Sequence, residues 1–402
     1  MKKKLDATSS QRSNWYALAI ALTLASAESS HAVGFLLPNQ DPEAIGRGDA
    51  FTATADDPAA IYYNPAGITQ LQGTQVSLGL YGISAHTSYS SPSGSANTDA
   101  NPQYVPQIYA VDTFKKVPIS VGLGVYVPYG LGVNWGGNPP FAGVAQKGKL
   151  LYLTANPVIA WKICKMLSVA AGPTFNYSQA TFQNNPGVEL HFQGDDWAPG
   201  YTFGILFQPY PMWSFGVDYR SETSLNYSGK FEDATFNSSV ETNVKINFPR
   251  TALGGVSFRP TPDWNLEFDL SWTQWSKINQ LTFQNTPFPL GGPFSLTLDY
   301  RDSFIYDFGV TRQLGKGYYA SVGYIYSEES NPNANYNPVD PDANLHLGNF
   351  GFGHHGEHFD WAVAYQFAYN GGRTVVGDSN ASADGTYKTF NNAVNASVTV
   401  KF

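Results

Sequence analysis

Short segments in which apolar and polar residues alternate strictly recur along this chain of 402 residues. In WNLEFDLSW (264–272), every second residue is apolar, and the residues between them are Asn, Glu, Asp and Ser. DWAVAYQFAY (360–369), WSFGVDYR (213–220) and the final segment, which stops at Phe402, repeat the pattern. A period of two indicates β-strands with one apolar face. The sequence therefore predicts an all-β protein.

The first 32 residues are predicted to be a secretory signal peptide. Three lysines at positions 2–4 precede the apolar stretch WYALAIALTLAS (15–26), which is too short to span a bilayer. Small residues follow, and cleavage after Ala27 or Ala32 would fit them; cleavage after Ala32 is preferred. The chain is thus expected to leave the cytoplasm, and no later run of about 18 apolar residues predicts a spanning helix.

Composition indicates how an exported chain of this kind could cross a membrane. It is 15% aromatic and only 13% charged, against roughly 25% charged residues in soluble domains. Without a spanning helix, the remaining way to satisfy every backbone group in lipid is a closed β-barrel. The net charge of -8 excludes nucleic acid as an expected partner. The single Cys164 excludes an intrachain disulfide and is interpreted as a buried or turn thiol.

The connections predict an antiparallel transmembrane β-barrel of about fourteen strands. Short turns such as KKVP (115–118) and QPYPM (208–212) alternate with longer Gly-, Asn- and Pro-rich stretches, as in bacterial outer-membrane barrels. The barrel would occupy residues 74–402, with its inward charges forming a solvated polar lining. Because a barrel of this size leaves a lumen, residues 33–73, which cannot form a strand, are predicted to fold inside it as a hatch, or plug.

The motifs, taken in order, resemble the FadL/TodX family of outer-membrane transporters for long-chain fatty acids and hydrocarbons. VGF at 33–35 is similar to the family's mature start, which favours cleavage after Ala32. AIGRGDAFTATADDPAAIYYNPAGIT (44–69) is similar to its hatch, and VGLGVYVPYGL (121–131) to its third strand. The longest match begins at INFPRTALGGVSF and continues through the alternating segment at 264–272.

The resemblance implies passive uptake of hydrophobic molecules. A solute would bind in an apolar groove between outer loops, enter a tighter pocket in the barrel, and leave sideways through a gap beside a kinked third strand after the hatch N-terminus moves. Proline and glycine suit such a strand, because proline removes a donor and glycine permits bends. The implied residues are the hatch and lateral-gap motif Asn64, Pro65, Ala66 and Gly67, the hatch N-terminus Phe35 and Leu36 near the ligand pocket, and the strand-3 kink at Gly122, Gly124, Pro128 and Gly130.

The substrate is left open between fatty acid and neutral or aromatic hydrocarbon. The strand matched to a basic position of the fatty-acid transporters, TFNYSQAT (174–181), has no Lys or Arg. Arg220, Arg250 or Arg301 could instead pair with a carboxylate in the lumen, since a buried carboxylate needs a basic or hydrogen-bonding partner. The expected partners are the hydrophobic solute, outer-membrane lipid and lipopolysaccharide, and the barrel assembly machinery through Phe402, with the protein a monomer.

Two other functions and two metal motifs were weighed. A general porin is disfavoured by the hatch, and an adhesive or structural barrel by the modest outer loops. HHGEH (354–358) matches an inverted zinc-protease pattern but lies among glycines in a strand connection rather than on a helix. DPDAN (340–344) begins like a calcium loop but lacks its glycine and its final glutamate. No enzyme activity, metal or cofactor is therefore expected.

Overall fold

The computed structural model describes residues 34–402, and the predicted signal peptide lies outside this range. The described chain opens with the helices α1 (Pro42–Gly46) and α2 (Ala60–Tyr63) and a 3-10 turn (Pro65–Gln70). Three further 3-10 turns are Trp275–Lys277, Asn333–Asn335 and Ala381–Ala383. The strands are β1 (Gly73–Ser91), β2 (Gly94–Asn97), β3 (Gln103–Thr113), β4 (Ile119–Asn134), β5 (Lys147–Cys164), β6 (Leu167–Asn184), β7 (Leu190–Tyr210), β8 (Trp213–Arg220), β9 (Thr223–Asp233), β10 (Ser238–Phe248), β11 (Thr251–Thr261), β12 (Trp264–Thr273), β13 (Gln280–Thr286), β14 (Gly292–Thr297), β15 (Ser303–Gly315), β16 (Tyr318–Ser327), β17 (Leu345–His355), β18 (Phe359–Tyr369), β19 (Arg373–Val375) and β20 (Gly385–Lys401).

These strands form one closed antiparallel barrel. Consecutive staves of the wall pair antiparallel, and β20 returns to β1 from Gln75↔Lys401 to Ser90↔Thr386. Within residues 34–402 the wall has fourteen staves, because six pairs of consecutive strands each follow one another along a single stave: β2 and β3, β8 and β9, β10 and β11, β12 and β13, β14 and β15, and β18 and β19. The predicted fold is confirmed. Among the described helices, none is long and apolar enough to cross a membrane.

The predicted alternation separates the two faces of the wall. Along β12, Trp264 and Leu266 are exposed on the outside, whereas Glu267 and Asp269 are buried on the lumen side. Along β18, exposed Val363, Tyr365, Phe367 and Tyr369 alternate with buried small or polar residues. Large apolar side chains on the outside suit contact with lipid.

Residues 34–72, which we call the hatch, precede β1 and are largely buried inside the barrel. The Asp41 carboxylate caps α1 by accepting from the N–H groups of Glu43 (2.7 Å) and Ala44 (3.3 Å). Asn64 is extended (φ -167°, ψ 100°), as the following proline requires. Its side chain accepts from Ala66 N–H at 3.2 Å and so starts the 3-10 turn.

Two lumen carboxylates fasten the middle of the hatch to β12. Glu267 Oε1 accepts from the N–H groups of Ala53 (2.7 Å) and Thr54 (3.1 Å), and its Oε2 pairs with Arg47 at 3.2 Å. Asp269 Oδ2 accepts from the N–H groups of Phe51 (3.0 Å) and Thr52 (2.7 Å). These side chains bind the hatch, whereas the sequence analysis expected a lining that faces water. Charge-assisted bonds of this kind contribute about 1.5–3 kcal/mol each.

Wall glycines let the hatch backbone lie directly against the strands. A Cβ at Gly309 of β15 would lie 2.2 Å from Arg47 O, and one at Gly323 of β16 would lie 2.0 Å from Gly48 N. No real Cβ contact is that short, so any side chain there must displace the hatch.

We predict that Gly309→Ala loosens the hatch while the barrel still forms. The new methyl group would overpack against the hatch backbone, which costs about 1–3 kcal/mol. Limited proteolysis of the purified protein should then cut between residues 34 and 72 faster than in wild type. Gly254→Ala on β11 is the matched control, because a Cβ there meets nothing within 4 Å. Equal cleavage rates in the two variants would contradict this packing.

Candidate functional site

Strand β4 breaks its pairing with both neighbours near Pro128. Its ladder with β5 shifts register between Tyr126 and Tyr129, so that Val127 and Pro128 have no partner there. On the other side, pairing with β3 ends at Ile108↔Val125. Since Pro128 has no N–H, one ladder bond is absent at this place in any case. The kink therefore lies at Val127 and Pro128.

The N-terminus of the hatch replaces the partners that β4 has lost. Gly130 N–H donates to Phe35 O at 2.9 Å, and Leu37 N–H donates to Pro128 O at 2.8 Å. Leu36 and Tyr129 thus form an isolated antiparallel bridge. The Gln40 side chain donates to Val127 O at 2.8 Å. The first described residues of the chain complete the backbone hydrogen bonding of the kinked strand.

A stretch of wall without backbone pairing lies beside the kink. We call it the β3–β4 window; its edges are Gln103–Gln107 of β3 and Tyr126–Val133 of β4. At the outer end the chains meet again, where Asp99 N–H donates to Asn134 O at 2.9 Å. On the inside, Leu37 belongs to one apolar cluster with Val105 and Val127. The hatch N-terminus therefore closes the window.

An apolar cavity lies on the extracellular side of the hatch N-terminus. It has a volume of about 110 Å³, and we call it the apolar cavity. The loop between β16 and β17 contributes Val339 and Asp340 to it. Most of the other lining residues are aromatic or aliphatic, and they include Phe35, Phe182, Phe192, Phe248, Phe283 and Leu298.

Phe35 is the centre of an aromatic cluster at the base of this cavity. Its ring centroid lies 4.9 Å from that of Trp275, 5.6 Å from Phe248 and 6.1 Å from Tyr129. Tyr152 contacts Tyr129 and Phe248 at 5.1 and 4.6 Å. We call these five rings the aromatic partition. The sequence analysis named Phe35 but missed the other four; the one available signal was Trp275, which breaks the alternation after Trp272.

A smaller and more polar pocket lies on the other side of the partition. Its volume is about 30 Å³, and we call it the polar pocket. Leu36 and Pro128 form part of its lining, and hydroxyl and amide side chains with Arg220 form much of the rest. Tyr129 and Tyr152 line it, whereas Phe35 and Phe248 line the apolar cavity. The partition therefore separates the two spaces.

The three predicted carboxylate partners lie in different surroundings. Arg220 lines the polar pocket, pairs with Asp218 at 3.1 Å and donates to Tyr62 O, with its guanidinium 3.8 Å from the Tyr62 ring centroid. Arg250 Nε donates to Gln274 Oε1 at 2.5 Å. Arg301 is exposed. The structure therefore does not bring the three arginines into one site.

The hatch motif lies elsewhere than the sequence analysis expected. Asn64 donates through Nδ2 to Thr52 O (2.8 Å) and to Ile205 O of β7 (2.9 Å), and Pro65 and Ala66 pack against Gly204 of β7. A Cβ at Gly67 would be 2.2 Å from Ala55 O, so this glycine leaves no space for a solute. The motif holds the hatch against β7 and does not border the β3–β4 window.

Two of the glycines that were predicted to form the kink also lie outside it. Gly122 and Gly124 pair regularly with Val111 and Tyr109 of β3. A Cβ at either position would lie 2.8–2.9 Å from the Ile61 side chain. They therefore make room for α2 and lie outside the register shift, whereas Pro128 and Gly130 lie at it.

The two metal-like motifs are engaged in other contacts. His355 of the HHGEH stretch lies 3.5 Å from Glu43 and 3.7 Å from Asp360. Asp342 Oδ2 accepts from the N–H groups of Ser330 (2.5 Å) and Asn331 (3.0 Å), and Asp340 accepts from the Tyr300 hydroxyl at 2.9 Å. Over residues 34–402, no group of three or more His, Cys, Asp or Glu side chains is arranged to hold a metal ion.

Comparison with known proteins gives consistent matches. A family described as "Outer membrane protein transport protein (OMPP1/FadL/TodX)" matches residues 23–402. The long-chain fatty acid transport protein of Escherichia coli O6:H1 is 22% identical, covering 79% of this chain and 82% of that protein. The 47 kDa outer membrane protein of Pasteurella multocida is 23% identical, covering 78% and 81%.

Solved structures share the fold. A Pseudomonas aeruginosa FadL homologue superposes with a TM-score of 0.83 at 16% identity, covering 92% of this chain and all of that one. The Pseudomonas putida toluene transporter TodX gives a TM-score of 0.75 at 15% identity, covering 92% and 99%.

We predict that the hatch is held more firmly at acidic than at alkaline pH. Burial raises the pKa of Asp49 to about 7, and its carboxyl group contacts Tyr63 OH at 2.9 Å and Asn39 at 2.6 Å. A raised pKa in the folded state stabilises it below the unfolded value near 3.8, and this contribution is lost as pH rises through about 7. Proteolysis of the hatch should therefore be faster at alkaline pH.

Asp49→Asn should reduce this pH dependence, because an amide does not titrate. Asn also tolerates the positive φ of 55° at this position. The dependence should not vanish, because burial raises the pKa of Asp41 to about 7 as well. An unchanged pH profile in Asp49→Asn would contradict the assignment to Asp49.

Proposed function

The chain belongs to the OMPP1/FadL/TodX family of outer-membrane transport proteins, and we propose that it takes up hydrophobic small molecules passively and releases them sideways through the β3–β4 window. The observation that carries this proposal is the pairing of the hatch N-terminus with the kinked strand β4. Within this segment, residues 34–40, Leu37 closes the window, Phe35 lies at the base of the apolar cavity and Leu36 borders the polar pocket.

Family membership confirms the resemblance drawn from the sequence motifs. It also confirms that the protein is an outer-membrane transporter of hydrophobic molecules and not an enzyme. Relatives are named for transport of long-chain fatty acids and toluene. We propose that this chain takes solutes of one of these two kinds, long-chain fatty acids or hydrocarbons.

A downhill route needs no energy source. Burying apolar surface releases roughly 25 cal/mol per Å², so the apolar cavity draws a hydrophobic solute from water. The membrane interior offers a similar gain after release through the window. A general diffusion pore would instead require an open lumen, and here α1 and α2 are fully buried within the barrel.

Hydrogen bonds hold the hatch N-terminus to β4 at few points. Two backbone hydrogen bonds and the Gln40–Val127 bond attach it to β4, and each contributes about 1 kcal/mol net. Opening also exposes the buried side chains of Phe35, Leu36 and Leu37, at roughly 1.5–3 kcal/mol each, unless a bound hydrophobic solute replaces their contacts. Displacement of Phe35 would remove the central ring of the aromatic partition and, with Leu37, uncover the window.

The arginines favour a solute without a charged head in the apolar cavity. The Arg220 charge is paired with Asp218, and Arg301 is exposed. The cavity lining is mostly aromatic and aliphatic, and its two charge-bearing side chains, Lys149 and Asp340, have opposite signs, so together they offer no net charge to a carboxylate. We propose a neutral hydrocarbon as the preferred solute of this cavity.

Two further partners are proposed from the same geometry. Phe402, 80% exposed at the end of the chain, follows β20 directly, and we propose that the barrel assembly machinery recognises it. The exposed aromatic and aliphatic belt of the wall would contact outer-membrane lipid, with lipopolysaccharide above it.

The test is a disulfide that fixes the hatch N-terminus to β4. Leu36 and Tyr129 are bridge partners outside the hydrogen-bonded pairs, where the Cα atoms lie about 4.5 Å apart, within the range that disulfides accept. Leu36→Cys with Tyr129→Cys would be made in a Cys164→Ser background. Oxidation should lower uptake of radiolabelled hexadecane and palmitate at least about tenfold in cells lacking their own transporter.

Reduction of the disulfide should restore uptake, and each single cysteine variant should respond to neither treatment. These controls separate the crosslink from loss of the Tyr129 ring. If the oxidised protein takes up both solutes at the reduced rate, the hatch N-terminus does not gate transport. If uptake depends on the crosslink and hexadecane is taken up faster than palmitate, the proposed neutral preference also stands.

A further inference from the structure

The wall contains a second break, on the side where β7 meets β8 and β9. β7 pairs with β8 through Thr202↔Arg220 and with β9 only as far as Asp195↔Ser228. Between these two ladders, residues 196–201 of β7 have no ladder partner among residues 221–227, which join β8 to β9 and begin β9. We call this stretch the β7–β9 break. It is about as long as the β3–β4 window.

Proline again accounts for the loss of pairing. Tyr201 faces this neighbour, since its carbonyl accepts from Ser221 N–H at 3.0 Å. Pro199, two residues away, faces the same side, where it has no N–H to donate. Side chains supply the remaining bonds: Tyr201 N–H donates to Ser221 Oγ (2.9 Å), and Asn226 N–H donates to Asp196 Oδ2 (2.6 Å).

Proline alone does not open the wall. Between β5 and β6, pairing also lapses near Pro157 and Pro173, but there Asn156 Nδ2 bonds to Pro173 O at 3.0 Å. A Cβ at Gly172 would lie 2.1 Å from Pro157 O, so the two main chains remain in contact. At the β7–β9 break, the three atoms nearest to a Cβ at Gly200 would instead be side-chain atoms of Thr174, Thr223 and Ser221, at 2.7–2.9 Å. Apart from the main-chain bond between Ser221 and Tyr201 at its edge, side chains close this break.

The polar pocket reaches this break from the inside. Tyr201 lines it from one edge of the break, and Ser221 and Thr223 line it from the other. Its lining also includes Leu36 and Pro128, at the hatch N-terminus and the kink. One internal space therefore extends from the gating segment to the unpaired stretch of wall.

The break lies at the outer boundary of the membrane-facing belt. Trp197 and Tyr201 are 65% and 55% exposed on the outer face of β7, and exposed aromatic rings mark the interface of outer-membrane barrels. Beyond them, toward the long outer connections, the exposed residues of β9 and β10 are polar and include Asn226, Lys230 and Lys245. An opening here would face the headgroup level of the outer leaflet.

We propose that the β7–β9 break is a second lateral port, used by hydrophobic solutes that carry one polar end group. This inference rests on the proposed transport function. On its inner side, the β3–β4 window is bordered by Leu37, Val105 and Val127. These apolar side chains cannot form a hydrogen bond with the polar end group of a solute. The polar pocket instead offers Thr174, Asn176 and Arg220, and Arg220 Nε is buried without a hydrogen-bond partner.

A reversible disulfide across the break tests the port. Gly200→Cys with Thr223→Cys, in the Cys164→Ser background, joins positions at which a Cβ on residue 200 would lie 2.8 Å from the Thr223 side chain. The control disulfide, Ile205→Cys with Val217→Cys, joins paired residues in the intact β7–β8 ladder. Initial uptake of radiolabelled dodecanol and dodecane would be measured before and after reduction, with disulfide formation checked by mass spectrometry.

If solutes use this port, the oxidised 200–223 disulfide should lower dodecanol uptake about fivefold. Dodecane uptake should stay within about twofold of that of the reduced protein, and the control disulfide should change the uptake of neither solute. Unchanged dodecanol uptake, or an equal loss of both solutes, would overturn the port. If the Cys164→Ser parent takes up neither solute above cells without the protein, the proposed transport function itself fails.

Discussion

A strand that leaves its neighbours inside a membrane must find other partners for its backbone groups, because lipid supplies none. β4 does this at Val127 and Pro128, where the hatch N-terminus donates and accepts in place of the missing strand. This pairing determines which part of the chain closes the opening beside β4. A short terminal segment, rather than a wall strand, closes the β3–β4 window, and such a segment can move without unfolding the barrel.

The contacts of the rest of the hatch would keep the proposed motion local. Glu267 and Asp269 bind its backbone between Phe51 and Thr54, and Asn64 ties the later turn to β7. Wall glycines such as Gly309 allow main chain to lie on main chain. The body of the hatch is thus fixed to several strands, whereas residues 34–40 are bonded to the kinked part of β4, to Gln107 and Tyr109 of β3 and to the later part of the hatch.

The sequence was most informative where periodicity alone decides the structure. Alternation in segments such as 264–272 predicted the wall strands and their faces, because one side meets lipid. The alternation was less informative about the lumen, because a polar side chain that points inward can contact either water or the backbone of the hatch. From the sequence alone, Glu267 could have contacted either. Gly122 and Gly124 were assigned to the kink, yet they accommodate Ile61, a contact that only the folded hatch creates.

Contacts between distant segments were not accessible from the sequence. The aromatic partition joins Phe35 to Phe248 and Trp275, more than two hundred residues apart, and no local pattern connects them. The motif at Asn64 was placed beside the gap by resemblance, whereas its amide bridges Thr52 and Ile205. Which strands an inner segment contacts depends on the closed barrel as a whole.

The central claim is that the solute leaves through the β3–β4 window, and photolabelling tests it most directly. A long-chain hydrocarbon carrying a diazirine would be activated during uptake, and the labelled residues would be mapped by mass spectrometry. The account predicts labels at the edges of the window, on Val105, Val127 and Leu37, in addition to the apolar cavity. Labels on the periplasmic side of the hatch, at Gln70 and Gln208, with none at the window, would contradict it.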